Sequence, residues 1–171
     1  MPTVGCELCE KVRSGVLGAE PLMLRELTSS LVFLEQHQIY RGYCLVVCKK
    51  HVEELFQLTE KERVQFCEDM NRVAEAVYRA LKPRKINYEL LGNKVPHLHW
   101  HVIPRYESDQ IPEWPIWTLK YRRQTQSKPT IAPSEYEKTK NLIMNQLAAV
   151  HSRSTPYEDA MKSSSRRKER T

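Results

Sequence analysis

The chain has 171 residues, which is enough for one domain with a single core and short for two. Its formal net charge is +6 at pH 7, from 27 Lys and Arg residues against 21 Asp and Glu residues. Most of the basic excess falls in Thr118–Thr130 and in residues 152–171, so the rest of the chain is close to neutral. Because a nucleic-acid-binding surface needs clustered positive charge on the folded body, nucleic acid is not the expected partner.

The sequence contains no long apolar run at its start or later, which argues against a signal peptide and against a membrane span. We therefore expect a soluble protein of the cytoplasm with no membrane partner. Five cysteines without a secretory context favour reduced thiols or a metal site over a disulfide framework.

The first part of the chain predicts a short helix and three strands. Cys6–Val16 fits a turn and helix, and the apolar runs Leu22–Leu27, Leu31–Leu34 and Tyr43–Cys48 predict strands bounded by turn residues such as Gly42. Their order favours consecutive antiparallel strands.

The strongest helix signal follows Thr59. Thr59 and Glu62 have the spacing of a capping box, and apolar residues recur at helical spacing as far as Leu81, shortly before Pro83. The residues of this apolar set are Val64, Cys67, Met70, Val73, Ala74, Val77 and Leu81.

The second part adds two strands and a closing helix. Ile86–Leu91 and Leu98–Ile103 read as strands, and Ser134–Val150 can form a helix. The whole pattern predicts an α+β fold: an antiparallel sheet of about five strands with one long helix and a C-terminal helix. We assign residues 1–151 to this domain and 152–171 to a basic tail, whose low apolar content predicts disorder.

Three histidines alternate along the last predicted strand. Since alternate side chains of a strand share one face, His97, His99 and His101 should line up within reach of one bound group. The residues expected to face the core are Leu98, Trp100, Val102 and Ile103. The pattern fits a metal site or histidine-based phosphate chemistry, and its spacing does not choose between them. The alternative is a half-exposed strand whose histidines bind nothing.

Cys6 and Cys9 form a C-x-x-C motif near the start of the chain. The motif supplies two soft ligands, and a tetrahedral zinc needs two more donors from elsewhere. Unliganded thiols or a redox pair are the alternatives. The remaining cysteines, Cys44, Cys48 and Cys67, fit core positions.

Three segments together resemble the histidine-triad family. NYELLGNKVPHLHWHVIPRY resembles its signature strand, GYCLVVCKKHVEEL its second strand and following turn, and CELC the zinc-binding entry of a subset of members. The resemblance spans roughly residues 6 to 106. It implies a small-molecule nucleotide substrate and a homodimer in which two five-stranded sheets join.

The resemblance also implies a zinc site. Its ligands would be Cys6, Cys9, His51 and His97. With four protein ligands no open position remains for an activated water, so the zinc would be structural and would tie the N-terminus to the histidine strand.

The resemblance implies a covalent role for His99. The middle histidine of the family attacks the α-phosphorus of a nucleotide and forms a nucleotidyl-histidine, which water then cleaves. A backbone carbonyl near His97 is the implied holder of the other ring nitrogen. His101 is expected beside the phosphates as a hydrogen-bond donor, and the alternative for it is a spectator role.

Four more residues are candidates for nucleotide binding by the same resemblance. Glu35 stands where an Asn or Asp usually binds the ribose hydroxyls, and Asn87, Asn93 and Lys94 lie where the family contacts phosphates. A surface role is the alternative for Glu35. The chain departs from the family in having Asn93 and Lys94 where Gln and Ser or Thr are common. Tyr43 stands where many relatives have a fourth histidine, so the hydrogen-bond network behind the site must differ.

The expected function is a hydrolase similar to bacterial-type diadenosine polyphosphate hydrolases. It would cleave a dinucleoside polyphosphate or a nucleoside phosphate conjugate through nucleotidyl-His99. The alternatives are nucleotidyl transfer or phosphorolysis, a nucleotide- or nucleic-acid-binding protein with little turnover, and a purely structural zinc protein. Trp114 and Trp117 are candidates to cover the base or a second substrate moiety, with simple packing as the alternative.

Overall fold

The computed structural model describes residues 5–109, 112–115 and 131–151. Trp117, the basic stretch Thr118–Thr130 and the predicted tail 152–171 lie outside the described residues. Within those ranges, no helix combines the length and the apolar character that crossing a bilayer requires.

Three helices and five strands make up the described fold. Their bounds in chain order are α1 Glu7–Val16, β1 Met23–Glu26, β2 Ser30–Leu34, β3 Cys44–Cys48, α2 Glu60–Leu81, β4 Lys85–Glu89, β5 His99–Arg105 and α3 Pro133–His151. A short 3₁₀ turn, Leu55–Gln57, precedes α2. The predicted α+β class is confirmed, and the predicted elements differ from the observed ones at their ends.

The strands form one antiparallel sheet in the order β1-β2-β3-β5-β4. Sequential pairing therefore holds for β1 to β3 and for β4 with β5, but β5 rather than β4 is the neighbour of β3. Burial explains this order. The strand β5 is mostly buried and takes the interior position, whereas β4 is largely exposed and forms the edge.

One face of the sheet packs against α2 and α3. The main core lies in this layer and includes Val32, Val46 and Val102 from the sheet, Phe66, Val73 and Val77 from α2, and Ile143 and Leu147 from α3. This packing fixes the sheet, and with it the strand that carries the histidines.

The start of α2 follows the predicted capping box. The Thr59 hydroxyl accepts from the Glu62 backbone N–H, and the Glu62 carboxylate accepts from the Thr59 N–H at 2.8 Å. The predicted buried face is wrong at two positions, since Val64 is 41% exposed and Cys67 is also exposed. At 3.6 residues per turn, these two positions lie well away from the face centred on Val73.

The opposite face of the sheet packs against α1. Leu31, Phe33, Leu45 and Val47 form a second apolar cluster with Leu8 of α1. Because Leu45 and Val47 pair directly with His101 and His99, the two histidines share this face.

Ile103 is buried as expected, but on the opposite face of the sheet from Trp100 and Val102. Ile103 is fully buried but alternates with Val102, so it lies on the face of His101. The strand runs on to Arg105 without a break in this alternation.

Candidate functional site

Four potential metal ligands converge from three separate parts of the chain. Cys6 and Cys9 come from the start of α1, His51 follows β3, and His97 precedes β5. Their ligand atoms all lie within 4.8 Å of one another. His97 Nδ1 lies 3.3 Å from His51 Nδ1 and 3.5 Å from each cysteine Sγ, and Cys9 Sγ lies 3.2 Å from His51 Nδ1. This group could hold a metal ion.

The hydrogen bonding of His97 leaves the correct nitrogen for a metal. His97 is fully buried, and its Nε2–H donates to the Cys48 carbonyl at 2.8 Å. Because a carbonyl only accepts, Nε2 carries the proton and the Nδ1 lone pair points to the other three ligands. Burial lowers the pKa of His97, which favours the neutral imidazole that metal binding needs.

The side chain of His99 is held by the backbone carbonyl of His97. Its Nδ1–H donates to the His97 carbonyl at 2.5 Å, and His99 is itself 8% exposed. The carbonyl fixes the tautomer with the proton on Nδ1, so Nε2 keeps its lone pair. His99 lines an open cleft of about 1080 Å³, and Nε2 is the nitrogen available to a molecule bound there.

His101 lies beside His99 and contacts Tyr43. The two imidazole centroids are 4.6 Å apart, and both side chains line the cleft. The Tyr43 hydroxyl and His101 Nδ1 are 2.6 Å apart. Burial, together with the charges of Glu35 and Glu89, raises the pKa of Tyr43 well above its ordinary value, so its phenol is neutral.

The cleft brings together most of the predicted nucleotide-binding residues. Glu35, Asn93 and Lys94 line it together with His99 and His101. Glu35 Oε1 accepts from the His37 backbone N–H at 3.2 Å, which holds its carboxylate at the end of β2. The three histidines of the motif are therefore divided between two sites, since His97 belongs to the metal group and the other two to the cleft.

The structure places Asn87 apart from this group. Asn87 shares the face of His101 on the neighbouring strand, but it lines a second pocket of about 390 Å³ with Trp114. Its Oδ1 accepts from the buried Arg105 guanidinium at 3.0 Å, and that guanidinium also donates to the Trp114 carbonyl at 2.8 Å. A phosphate contact for Asn87 stays a prediction, as does a substrate contact for Trp114, whose side chain is 60% exposed.

The sequence analysis missed the contribution of α1 to the cleft. Glu7, Glu10, Lys11 and Ser14 line one wall of it. Their spacing of i, i+3, i+4 and i+7 places them on one helix face, which is visible in the sequence, but that spacing is also typical of an ordinary solvated face. Only the packing of Leu8 against the sheet turns this polar face towards the histidines.

A sequence model of the family described as "HIT domain" matches residues 20–108, which is just over half of the chain. The chain belongs to the histidine-triad (HIT) family. The matched range contains all residues of the cleft named above except those of α1, and it excludes Cys6 and Cys9. Cys6 and Cys9 of the metal group therefore lie outside the matched range.

Two curated relatives of this HIT chain illustrate the sequence similarity. "Protein hit" of Bacillus subtilis is 28% identical over 106 residues, covering 59% of this chain and 71% of the relative. The adenosine 5'-monophosphoramidase of Schizosaccharomyces pombe is 28% identical over 109 residues, covering 60% of this chain and 75% of the relative.

Solved structures of HIT proteins share the fold. A histidine triad protein from Bradyrhizobium japonicum has a TM-score of 0.64 at 22% identity, covering 77% of this chain and 94% of that chain. A zinc-bound histidine triad family protein from Mycobacterium smegmatis has a TM-score of 0.63 at 22% identity, covering 86% of this chain and 96% of that one.

Proposed function

We propose that this chain is a nucleotide hydrolase that works through a nucleotidyl-His99 intermediate. The observation that carries the proposal is the hydrogen bond from His99 Nδ1–H to the His97 carbonyl, which reserves the Nε2 lone pair for the cleft. A neutral imidazole with one nitrogen held in this way is an oriented nucleophile.

The first step is attack of His99 Nε2 on the α-phosphorus of a bound nucleotide. The lone pair forms a P–N bond, and the bond from phosphorus to the leaving group breaks with its electron pair. Nδ1 keeps its proton, so the phosphorylated ring becomes a cation, and the adjacent His97 carbonyl stabilises that charge.

The second step is hydrolysis of the intermediate. A water oxygen attacks the same phosphorus, the P–N bond breaks, and its electron pair returns to Nε2 of His99. The water proton passes to solvent, and the nucleoside monophosphate leaves. His99 regains its starting tautomer, because the His97 carbonyl holds Nδ1–H throughout.

The other residues of the cleft would bind the nucleotide. The Glu35 carboxylate is suited to accept from ribose hydroxyls, and the Lys94 ammonium and the Asn93 amide are suited to donate to phosphate oxygens. The cleft wall formed by α1 would contact the leaving group or the base.

The proposed substrates are dinucleoside polyphosphates and nucleoside phosphate conjugates. A nucleoside phosphoramidate is a second candidate, supported by the name of the Schizosaccharomyces pombe relative. Its leaving nitrogen would take a proton from solvent as its bond to phosphorus breaks, so that it departs as ammonia. Transfer of the nucleotidyl group to phosphate or a sugar phosphate uses the same intermediate and differs only in the acceptor.

We also propose that the metal is a structural zinc. Tetrahedral zinc with bonds of about 2.05 Å to nitrogen and 2.3 Å to sulfur puts two nitrogens about 3.3 Å apart, and a nitrogen about 3.6 Å from a sulfur. The nitrogen–nitrogen distance of 3.3 Å and the sulfur–nitrogen distances of 3.2 and 3.5 Å agree with this ligand geometry. The zinc-bound relative from Mycobacterium smegmatis adds support. Zinc would hold His97, and through its carbonyl the nucleophile.

Homodimerisation and a cytoplasmic location remain part of the proposal. The homodimer rests on the family resemblance, and the cytoplasmic location rests on the free cysteines, which suit a compartment with thiol-reducing systems.

The test compares wild type, His99→Ala and His101→Ala with diadenosine tetraphosphate and with adenosine 5′-phosphoramidate. We expect wild type to release adenosine monophosphate and to show an acid-labile adenylyl adduct by intact mass. His101→Ala should still form the adduct, more slowly, and folded His99→Ala should form none. An adduct on His99→Ala, or its full turnover, would remove His99 from the nucleophile role.

A further inference from the structure

We propose that Tyr43 is a positioning residue that holds His101 in the tautomer with its proton on Nε2, so that this N–H faces the cleft. The role of this tautomer in catalysis rests on the proposed function, whereas the tautomer itself is inferred from the observed contact between Tyr43 and His101. The Tyr43 Oη and His101 Nδ1 atoms are 2.6 Å apart, and the two rings are tilted by 47°. The family resemblance places Tyr43 where many members have a fourth histidine, so a phenol contact of this kind is expected to distinguish this chain from them.

The backbone around Tyr43 fixes its ring. The Tyr43 N–H donates to the Tyr40 carbonyl, and the Tyr43 carbonyl accepts from the Glu35 N–H at 2.9 Å and from the Gln38 side-chain amide at 3.0 Å. Tyr43 directly precedes β3, in which Leu45 pairs with His101. Tyr43 is therefore a diagonal cross-strand neighbour of His101, and both its backbone N–H and its backbone carbonyl are hydrogen-bonded.

The direction of the hydrogen bond follows from counting hydrogens. A neutral phenol has one hydrogen, and a neutral imidazole has one protonated and one accepting nitrogen. If Nδ1–H donated to Tyr43, the hydroxyl hydrogen would need another acceptor. Among the described residues, the hydroxyl's hydrogen bond is the one with His101. The hydroxyl therefore donates to Nδ1, and the proton of the neutral His101 ring lies on Nε2.

Two neighbouring histidines thus receive opposite roles from their partners. The His97 carbonyl accepts from Nδ1–H of His99 and leaves that ring a lone pair at Nε2, whereas Tyr43 donates to Nδ1 of His101 and leaves that ring an N–H at Nε2. One ring can attack phosphorus while the other donates to a non-bridging oxygen or to the departing group. His101 keeps its proton in this role, since losing it would produce an imidazolate.

Two carboxylates lie close to this contact. Glu89 is the direct cross-strand partner of His101 on β4, and Glu35 and Glu89 both act electrostatically on Tyr43. Because a hydroxyl oxygen can also accept, a proton on Nδ1 would have to turn the Tyr43 hydroxyl hydrogen away from His101. A phenol that donates in the observed contact therefore favours the His101 tautomer with its proton on Nε2.

The test reads the tautomer directly. We would record ¹⁵N–¹H spectra of histidine-labelled wild type, Tyr43→Phe, Tyr43→His and, as a matched control, Tyr88→Phe, assigning His101 from the signals lost in His101→Gln. Tyr88 is 45% exposed and belongs to β4, on the face away from His101. We expect wild type and Tyr88→Phe to show His101 with Nδ1 unprotonated and Nε2 protonated.

Tyr43→Phe should shift His101 towards a mixture of tautomers, and lower kcat about tenfold with little change in KM. Tyr43→His should restore the wild-type tautomer, because an imidazole N–H can also donate to Nδ1. A protonated Nδ1 in wild type would overturn the proposal, as would unchanged tautomer and kcat in folded Tyr43→Phe. If Tyr43→Phe does not fold, the wild-type spectrum alone decides. Failure of the proposed function is separate, since it appears as a missing adduct on His99.

Discussion

Asp69 is the residue whose removal should reveal most about how the sheet is attached to α2. This carboxylate is fully buried and accepts hydrogen bonds from the Ser29 backbone N–H, the Ser29 hydroxyl and the Ser30 hydroxyl, each at 2.8 Å, and from Gln65 at 3.0 Å. It thereby joins the β1–β2 turn to the helix that covers the main core.

The expected loss of stability follows from the hydrogen-bond donors that Asp69→Ala would leave without an acceptor. Ser30 is fully buried, so its hydroxyl has no route to water, and the Ser29 N–H is fixed by the turn. Each stranded buried donor costs about 1–3 kcal/mol. With partial relaxation of the Ser29 hydroxyl, we expect a loss of about 3–5 kcal/mol in the free energy of unfolding, a large fraction of the about 5–15 kcal/mol typical of a domain.

The assay is urea denaturation followed by circular dichroism, with Gln65→Ala as the matched control. Gln65 makes one of the four bonds and is only partly buried, so its variant should lose about 1 kcal/mol or less. The slope of free energy against urea should be the same in all three proteins. A loss for Asp69→Ala as small as that for Gln65→Ala would refute the reasoning, because it would mean that water or rearrangement satisfies the stranded donors.

Two further predictions concern a turn and the metal. Gly42→Ala should lose about 2–3 kcal/mol in thermal denaturation, because Gly42 has φ +87° and an added Cβ would lie 2.2 Å from Leu81 Cδ1. Gly18→Ala, at φ +70° with nothing within 4 Å of the added carbon, should lose only the backbone part, and equal losses would contradict the steric argument. Elemental analysis should find about one zinc ion per wild-type chain, and Cys9→Ser should lose the zinc while the exposed Cys67→Ser retains it. Retention of zinc by Cys9→Ser would exclude Cys9 as a ligand.

The sequence predicts the elements of this fold well because their signals are local. The Thr59–Glu62 capping box marks the start of α2, and short apolar runs mark the five strands. The order of strands is not local. Nothing in the apolar runs says that β5 inserts between β3 and β4, because that choice depends on which strand is more buried once α2 and α3 are packed. The same limitation explains Cys67, whose place on α2 depends on the exact centre of the buried face.

The candidate site also has features that the sequence predicts and features that it does not. The residue types and spacing of His97, His99 and His101 favour metal binding or histidine-based phosphate chemistry, and the family resemblance implies a role for each residue. What the sequence cannot supply is the partner of each ring nitrogen. A carbonyl, a phenol and a second carbonyl decide the tautomers of these three rings, and two of those partners come from β3 and its preceding turn.

His97 connects the two halves of the site through two different atoms. Its side chain lies with Cys6, Cys9 and His51 in the metal group, while its backbone carbonyl accepts from the ring of His99, the proposed nucleophile. The proposed zinc therefore needs no contact with substrate to affect the reaction. Fixing the His97 side chain also fixes the His97 carbonyl, which holds the ring of His99 two residues further along the chain. The same ligands fix α1, whose polar face lines the cleft. A metal held by these four residues would orient the nucleophile and one substrate wall together, which explains how a structural ion can serve a phosphate site.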